Sequence, residues 1–256
     1  MSRARRRRSF PLILAAVAAL VAGCAIELPD LFSLTAQEWY ELGKTHYDAK
    51  SYEAARRCFE NVMVVYPSSR YADDSQFYLG LAYFDDELYL EAQAVFEDLA
   101  ASYPNSPYTD DARYYIGRSY FKRAPDYQRD TELVAAAIGE YRRTLKLFPG
   151  SELVPEINRA IEEALELEAR KLDHIIYLYR RMGRPRSVVL YADMLLGAYP
   201  DSAYTARNLW RRGEALAELG YSEQARVDFQ RIMEEHPDNA YAEDARESLK
   251  SLGAVN

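Results

Sequence analysis

The sequence predicts an all-α solenoid of five helix-turn-helix repeats closed by a C-terminal helix, and three recurrences carry that prediction. The first is a proline-centred punctuation met five times: Pro67-Ser68-Ser69-Arg70-Tyr71, Pro104-Asn105-Ser106-Pro107-Tyr108, Pro149-Gly150-Ser151, Pro200-Asp201-Ser202-Ala203-Tyr204 and Pro237-Asp238-Asn239-Ala240-Tyr241. The second is a small or β-branched residue twelve positions before each proline (Ala55, Ala92, Ala137, Val188, Ala225), followed four positions on by an aromatic in four copies: Phe59, Phe96, Tyr141 and Phe229. The third is a glycine upstream, Gly43, Gly80, Gly117 and Gly213. Proline lacks the N–H that a helical ladder needs and ends the helix before it, while the Ser or Asn two residues later can accept from the free amides of the next helix. Each punctuation is therefore a seam between repeats. Each glycine marks where the first helix of a pair must let the second come close, and the alanine is small for the same reason.

The elements follow in order. The first copy reads Trp39-x2-Leu42-Gly43 and then His46, and the second Leu79-Gly80-x2-Tyr83. With the later Ala-x3-aromatic and the proline, this resembles the tetratricopeptide pattern of two antiparallel helices per repeat. In the third copy Gly117 and Ala137 are twenty residues apart instead of twelve, which predicts an enlarged, charged loop at residues 123–130 around Pro125. Pro149 and Pro200 are fifty-one residues apart where the first and last intervals are thirty-seven. Leu153, Ile157, Ile161, Ala164, Leu165, Glu168, Leu172 and Ile175 keep a helical period with no breaker after Pro155, so a single long helix is expected from about Leu153 to Met182. The fourth copy departs from the pattern, with Ile176 in the glycine position and Ala192 in the aromatic one. A capping helix is expected over Tyr241–Leu252. Each repeat should touch chiefly its neighbours, stacking into a right-handed superhelix with one continuous concave surface.

Ahead of the repeats, Arg3 and Arg5 to Arg8 precede an apolar run from Phe10 to Val21 and then Ala22-Gly23-Cys24. A basic start, a short apolar stretch and small residues describe an export signal, too short for a permanent span. Arg7-Arg8-Ser9-Phe10 looks like a twin-arginine signal, although nothing suggests a cofactor inserted before export, which favours the general secretion route. Val21-Ala22-Gly23-Cys24 resembles a bacterial lipobox, which implies a diacylglyceryl group on Cys24 and cleavage before it; the alternative is an ordinary signal with an incidental cysteine. The expected organisation is a signal at 1–23, a lipidated tether at 24–34, N-terminal repeats at 35–150, and the long helix, last repeats and cap at 151–256.

Composition excludes several classes. The formal charge of −8 includes five signal arginines, so the mature chain carries about −13, and a nucleic-acid partner is not expected of it. Cys58 has no second cysteine to pair with once Cys24 is lipidated, and reads as core packing. His46, His174 and His236 lie far apart, none within a metal-binding or zinc-protease spacing, and there is no phosphate loop or nucleophile elbow, so no cofactor, metal or catalytic residue is assigned. The acid pairs Asp73-Asp74, Asp85-Asp86 and Asp110-Asp111 read as solvated helix starts.

Taken together, the lipobox, five repeats with these seams, the enlarged third-repeat loop and the lengthened helix before the fourth resemble the BamD-type tetratricopeptide lipoproteins of the outer-membrane β-barrel assembly machinery. The resemblance implies a non-enzymatic adaptor on the inner leaflet of the outer membrane, binding unfolded barrel proteins through its N-terminal repeats. It implies that the C-terminal repeats meet the insertase's periplasmic domain and companion lipoproteins. Ala25, where an inner-membrane retention signal would have Asp, agrees with that location. The other reading is an envelope tetratricopeptide lipoprotein serving cell-wall or Tol–Pal coordination or secretin piloting.

Two residue sets are expected to carry binding. Equivalent inward positions of the first helices hold Tyr40, Lys44 and Tyr47, then Phe77, Leu81 and Phe84, then Tyr114, Arg118 and Phe121, with Lys122 beside them. The resemblance implies an aromatic trough for a barrel protein's last strand, with Arg118 or Lys122 on its C-terminal carboxylate, while part of the stripe packs helix on helix. Arg180, Arg181, Arg184 and Arg186 at the end of the long helix, with Arg207, Trp210 and Arg211 beyond, read either as a dock for an acidic partner or as cations stabilising a helix end beside a core Trp.

Overall fold

The computed structural model describes residues 30, 33–124 and 132–253. The signal, Cys24, most of the tether and most of the third-repeat loop lie outside the described residues. Those described form eleven α-helices and no strand: α1 Ala36–Asp48, α2 Tyr52–Val65, α3 Ala72–Asp85, α4 Tyr89–Ser102, α5 Thr109–Arg123, α6 Glu132–Leu147, α7 Val154–Arg181, α8 Pro185–Ala198, α9 Thr205–Glu218, α10 Ser222–Glu235 and α11 Tyr241–Gly253. The chain divides into two compact units, one ending at Ser75 and the other beginning at Gln76.

In the first unit, Thr35 opens α1 with a capping box: its Oγ1 accepts from Glu38 N at 3.3 Å while Glu38 Oε2 accepts from Thr35 N at 2.8 Å. Trp39, Cys58 and Val62 form the buried centre, flanked by Tyr40, Leu42, Tyr66 and Tyr71. The Tyr66 hydroxyl donates to Leu34 O at 2.8 Å, tying the segment before α1 to the end of α2. Burial pushes the Cys58 thiol up to about 12, so it stays protonated and inert, as a core packing role requires.

The glycine–aromatic register is a physical lock. A Cβ placed on Gly43 would lie 2.6 Å from the Phe59 ring, and the corresponding distances are 2.5 Å for Gly80 to Phe96, 2.4 Å for Gly117 to Tyr141 and 2.6 Å for Gly213 to Phe229. The fourth pair reaches the same end by the opposite exchange: Ile176 and Ala192 are both fully buried in one core cluster, large where the other copies are small and small where they are large. Exchanges that conserve volume are what a close-packed interior tolerates best.

The seams repeat in detail. In all five the residue before proline (Tyr66, Tyr103, Phe148, Tyr199, His236) accepts at its carbonyl from the amide of Ser69, Ser106, Ser151, Ser202 or Asn239, whose own carbonyl accepts from the residue three further on. The side chains of four of these also accept from the amide two residues on, Ser69 from Tyr71 at 3.2 Å, Ser106 from Tyr108 at 3.3 Å, Ser151 from Leu153 at 3.1 Å and Asn239 from Tyr241 at 3.1 Å. They act as turn-formers just ahead of the helix, where true N-caps were expected, because the seam is two overlapping tight turns. Within repeats, the turn is made by a left-handed residue at matching positions, Lys50, Glu87, Gly183 and Gly220.

In the second unit helices pack mainly on their chain neighbours, with α7 also touching α5 and α9, and α11 touching α9. α7 runs one residue short of the expected helix at each end, and its 28 residues span about 42 Å. It joins separate cores: Ile157 and Ala160 pack with Tyr114 and Tyr141, Ala164 with Val134 and Ile138, and Ile176 with Val188, Leu209 and Phe229. No helix among the described residues is long and apolar enough to cross a membrane.

The lock makes one substitution act with opposite signs. Gly80→Ala, whose Cβ meets Phe96, should destabilise the protein by about 1–3 kcal/mol in urea unfolding. Gly139→Ala, inside α6 with nothing within 4 Å, should stabilise it by about 0.5–1 kcal/mol.

Candidate functional site

The predicted trough residues divide between the two units, Tyr40, Lys44 and Tyr47 in the first and the rest in the second. On α1, Tyr40, Lys44 and Tyr47 share one half-buried face. Tyr40 stacks on Tyr71 with centroids 5.4 Å apart and tilts against Phe59, Lys44 Nζ lies 5.7 Å from the Tyr47 ring centroid, and Tyr47 meets Tyr52 at 5.9 Å. Both rings are half-buried, with part of each engaged in these contacts and part left to solvent.

In the second unit the register positions divide. Phe77 is core, stacked on Tyr108 at 4.5 Å and tilted against Phe96. Leu81 is buried as well. Phe84 is half-buried and edge-on to Tyr89 and Tyr115. Tyr114 is buried, and its hydroxyl donates to Glu156 Oε1 at 2.9 Å; desolvation, then this bond, pushes its pKa upward. Arg118 donates to Glu163 Oε2 at 3.3 Å. Both partners come from α7, which lies along α5, so the expectation that Tyr114 and Arg118 stand open to a ligand is corrected: the inserted helix covers that part of the face. Phe121 is half-buried, packing against two of the core clusters, and Lys122 is exposed. Tyr115, not singled out in the sequence, links the stripe by stacking on Phe96 at 5.2 Å and meeting Phe77, Phe84 and Tyr114.

The arginine set also divides, and its divider is Asp173 on the buried face of α7. Arg207 grips Asp173 with two bonds, Nε to Oδ1 at 3.0 Å and Nη2 to Oδ2 at 2.7 Å. Asn208 Nδ2 donates to Oδ1 at 2.9 Å and Arg211 Nη1 to the same oxygen at 2.8 Å. Arg207 and Arg211 thus fasten α9 to α7, which corrects their assignment to a docking face: their donors are turned to an internal carboxylate. Burial holds Arg211 below the usual guanidinium range, opposed by Asp173. A second clamp, missed in the sequence, joins α8, α9 and α10 through Arg212, which donates to Asp228 at 2.8 and 2.5 Å and to Asp193 at 2.5 Å. Trp210 is half-buried against Tyr241, with the Arg180 guanidinium 4.8 Å over its ring. Arg180, Arg181, Arg184 and Arg186 remain exposed at the α7–α8 corner, and the first three line a cavity of about 350 Å³ with Arg211, Glu214 and Glu218.

The acid pair Asp110-Asp111 is more than a solvated helix start. Asp110 Oδ2 accepts from Ser151 Oγ at 2.5 Å, and desolvation, reinforced by Asp110 and more weakly by Glu156, raises Asp111 to about 6. Among the described residues no group of three His, Cys, Asp or Glu side chains is placed to hold a metal ion.

Removing Asp173 would leave two guanidinium groups without their shared acceptor, so Asp173→Ala should cost about 3–5 kcal/mol in denaturant unfolding, whereas reversing exposed Arg184 and Arg186 should leave stability within about 0.5 kcal/mol. For Asp111 the folded pKa lies above the unfolded one. The stabilisation is therefore fully present below about 4 and lost as pH rises through about 6. Asp111→Asn should raise the melting temperature at pH 7.5 and flatten its slope across that window.

No curated protein matches the chain significantly. Similar solved structures include the TPR2AB domain of yeast Sti1 in complex with pHSP90 (16% identity, TM-score 0.49, 86% of this chain and 83% of that one). Another is TTC0263, a tetratricopeptide protein of Thermus thermophilus (16% identity, TM-score 0.38, 85% and 98%). The repeat assignment rests on the chain's own locks and seams rather than on these likenesses. The model of the YfiO family, outer membrane lipoproteins, matches residues 33–227, which takes in all but the end of the repeat region. By that match over most of its length, the chain belongs to the YfiO family of outer membrane lipoproteins.

Proposed function

We propose that this protein is a BamD-type adaptor of outer-membrane β-barrel assembly, held on the inner leaflet through a lipidated Cys24, which lies outside the described residues. The observation that carries the reading is the family match over residues 33–227, directly downstream of the lipobox. Several acyl chains on one cysteine supply the anchor, since each buried CH₂ contributes about 0.8 kcal/mol and a single chain is marginal. In this reading residues 35–150 receive unfolded barrel proteins and residues 151–256 meet the insertase's periplasmic domain and companion lipoproteins.

The site geometry refines which atoms do this. With Phe77 and Tyr114 in the core and Arg118 held by Glu163, the substrate-facing groups of the second unit are Phe84, Phe121 and Lys122, and those of the first are Tyr40, Lys44 and Tyr47. Lys122, exposed and making no ion pair among the described residues, is the better partner for a terminal carboxylate. On the partner side, Arg180, Arg181, Arg184 and Arg186 are the cations that can meet acidic groups of the insertase, because Arg207 and Arg211 are engaged by Asp173.

The test is made in cells and on purified protein. Cys24→Ser should abolish palmitate labelling and release the protein from membranes. Solubilised in mild detergent, the wild type should carry a large barrel protein with it, and Arg184→Glu with Arg186→Glu should lose that partner by pull-down at unchanged circular dichroism. Depletion should lower barrel proteins generally. If depletion leaves them at normal levels and no barrel protein co-purifies, the adaptor reading fails.

A further inference from the structure

We propose that the cleft between α7 and the seam joining α8 to α9 is a docking site for an extended, positively charged peptide segment. The cleft has a volume of about 820 Å³, with Glu162, Glu163, Leu165 and Glu166 on one wall and Tyr199, Pro200 and Asp201 on the other. It exists because α7 is longer than a repeat helix, which sets its middle turns against the α8–α9 seam. Both walls are fixed in advance. The Glu166 carboxylate accepts from Ala203 N at 3.2 and 3.3 Å, and the Tyr199 hydroxyl donates to Glu168 Oε2 at 2.6 Å. A preformed cleft spares an incoming segment much of the ordering cost of binding.

Charge and spacing name the occupant. Four carboxylates, Glu162, Glu163, Glu166 and Asp201, face one guanidinium, Arg159. Glu162 and Asp201 are exposed and make no ion pair among the described residues, while Glu163 pairs with Arg118 at 3.3 Å. Glu162 and Glu166 stand four apart on the helix, roughly 6 Å between side-chain bases. Alternate side chains of an extended strand project on one face about 6.7 Å apart, so Lys or Arg at positions i and i+2 match the two acids. The wall from Arg159 to Glu166 is about 10 Å long, room for about three extended residues. Leu165 and Pro200 offer apolar surface to the aliphatic stems of those cations. An acidic segment is repelled by the same wall. The cleft lies within residues 151–256 but includes none of the four exposed arginines proposed to meet the insertase, and a peptide-binding measurement on the purified chain reads it separately from the adaptor reading.

The experiment uses the mature full-length chain and a fluorescein-labelled peptide, GKVKVKG, read by anisotropy at low salt. Saturable binding is expected, weakened about tenfold or more by Glu162→Lys with Asp201→Lys. A control pair on other helices, Glu234→Lys with Glu247→Lys, alters net charge equally and should change affinity less than about twofold. If the reversed pair melts early, Glu162→Gln with Asp201→Asn decides, with a smaller loss expected. Absence of saturable binding, equal loss in both reversed pairs, or equal binding of a peptide with Glu for Lys would overturn the site.

Discussion

Two helices can approach closely enough for one aromatic ring to fill the space between them only if one of them carries no side chain at the crossing. That requirement organises this molecule. At Gly43, Gly80, Gly117 and Gly213 even a methyl group would meet ring atoms at 2.4–2.6 Å, well inside contact distance. Ring and glycine fix how the two helices of a pair are set against each other. The twelve-residue offset to the next small residue, stretched only in the third repeat, fixes the turn, and the seam then returns the chain to begin the next pair. Neighbour-on-neighbour packing is the outcome of these local settings.

Where the lock is inverted, polar chemistry takes a larger share of the work. Ile176 of the inverted pair stands one turn from Asp173 on α7, and it is there that Arg207, Asn208 and Arg211 converge on one carboxylate. A buried ion cluster of this kind is weak evidence of net stability, since desolvation offsets much of the attraction. What it imposes is position: a carboxylate with three side-chain donors has few alternative registers. The same division of labour holds α8, α9 and α10 together through Arg212. Exposed cations at the α7–α8 corner are left available because these internal carboxylates satisfy the others.

Helix order, seams, locks and the long α7 were readable from the sequence because they rest on short-range spacings that a proline or glycine marks unambiguously. The roles of the charged residues were less so. Nothing in the spacing of Arg118 distinguishes a residue awaiting a ligand from one already held by Glu163, forty-five positions away, because that depends on which helix lies over it. Arg207 and Arg211 resemble their exposed neighbours Arg180 and Arg184 in composition and differ only in facing Asp173. One signal was present in principle. Asp173 falls on the buried stripe of α7, and an acid there requires a cation from another helix. Tyr115 was passed over because it stands next to Tyr114 and belongs to a different face of the same helix.

The inverted pair also bears on how such a chain can change over generations. From Ile176 and Ala192 there is no single step back to the arrangement used in the other repeats: restoring glycine first opens a void where isoleucine fills the core, and restoring the aromatic first forces a ring into occupied space. Each intermediate is less stable than either end, so once exchanged the fourth repeat is held to its own solution. Its sequence can drift at the surface while remaining unable to rejoin the common pattern.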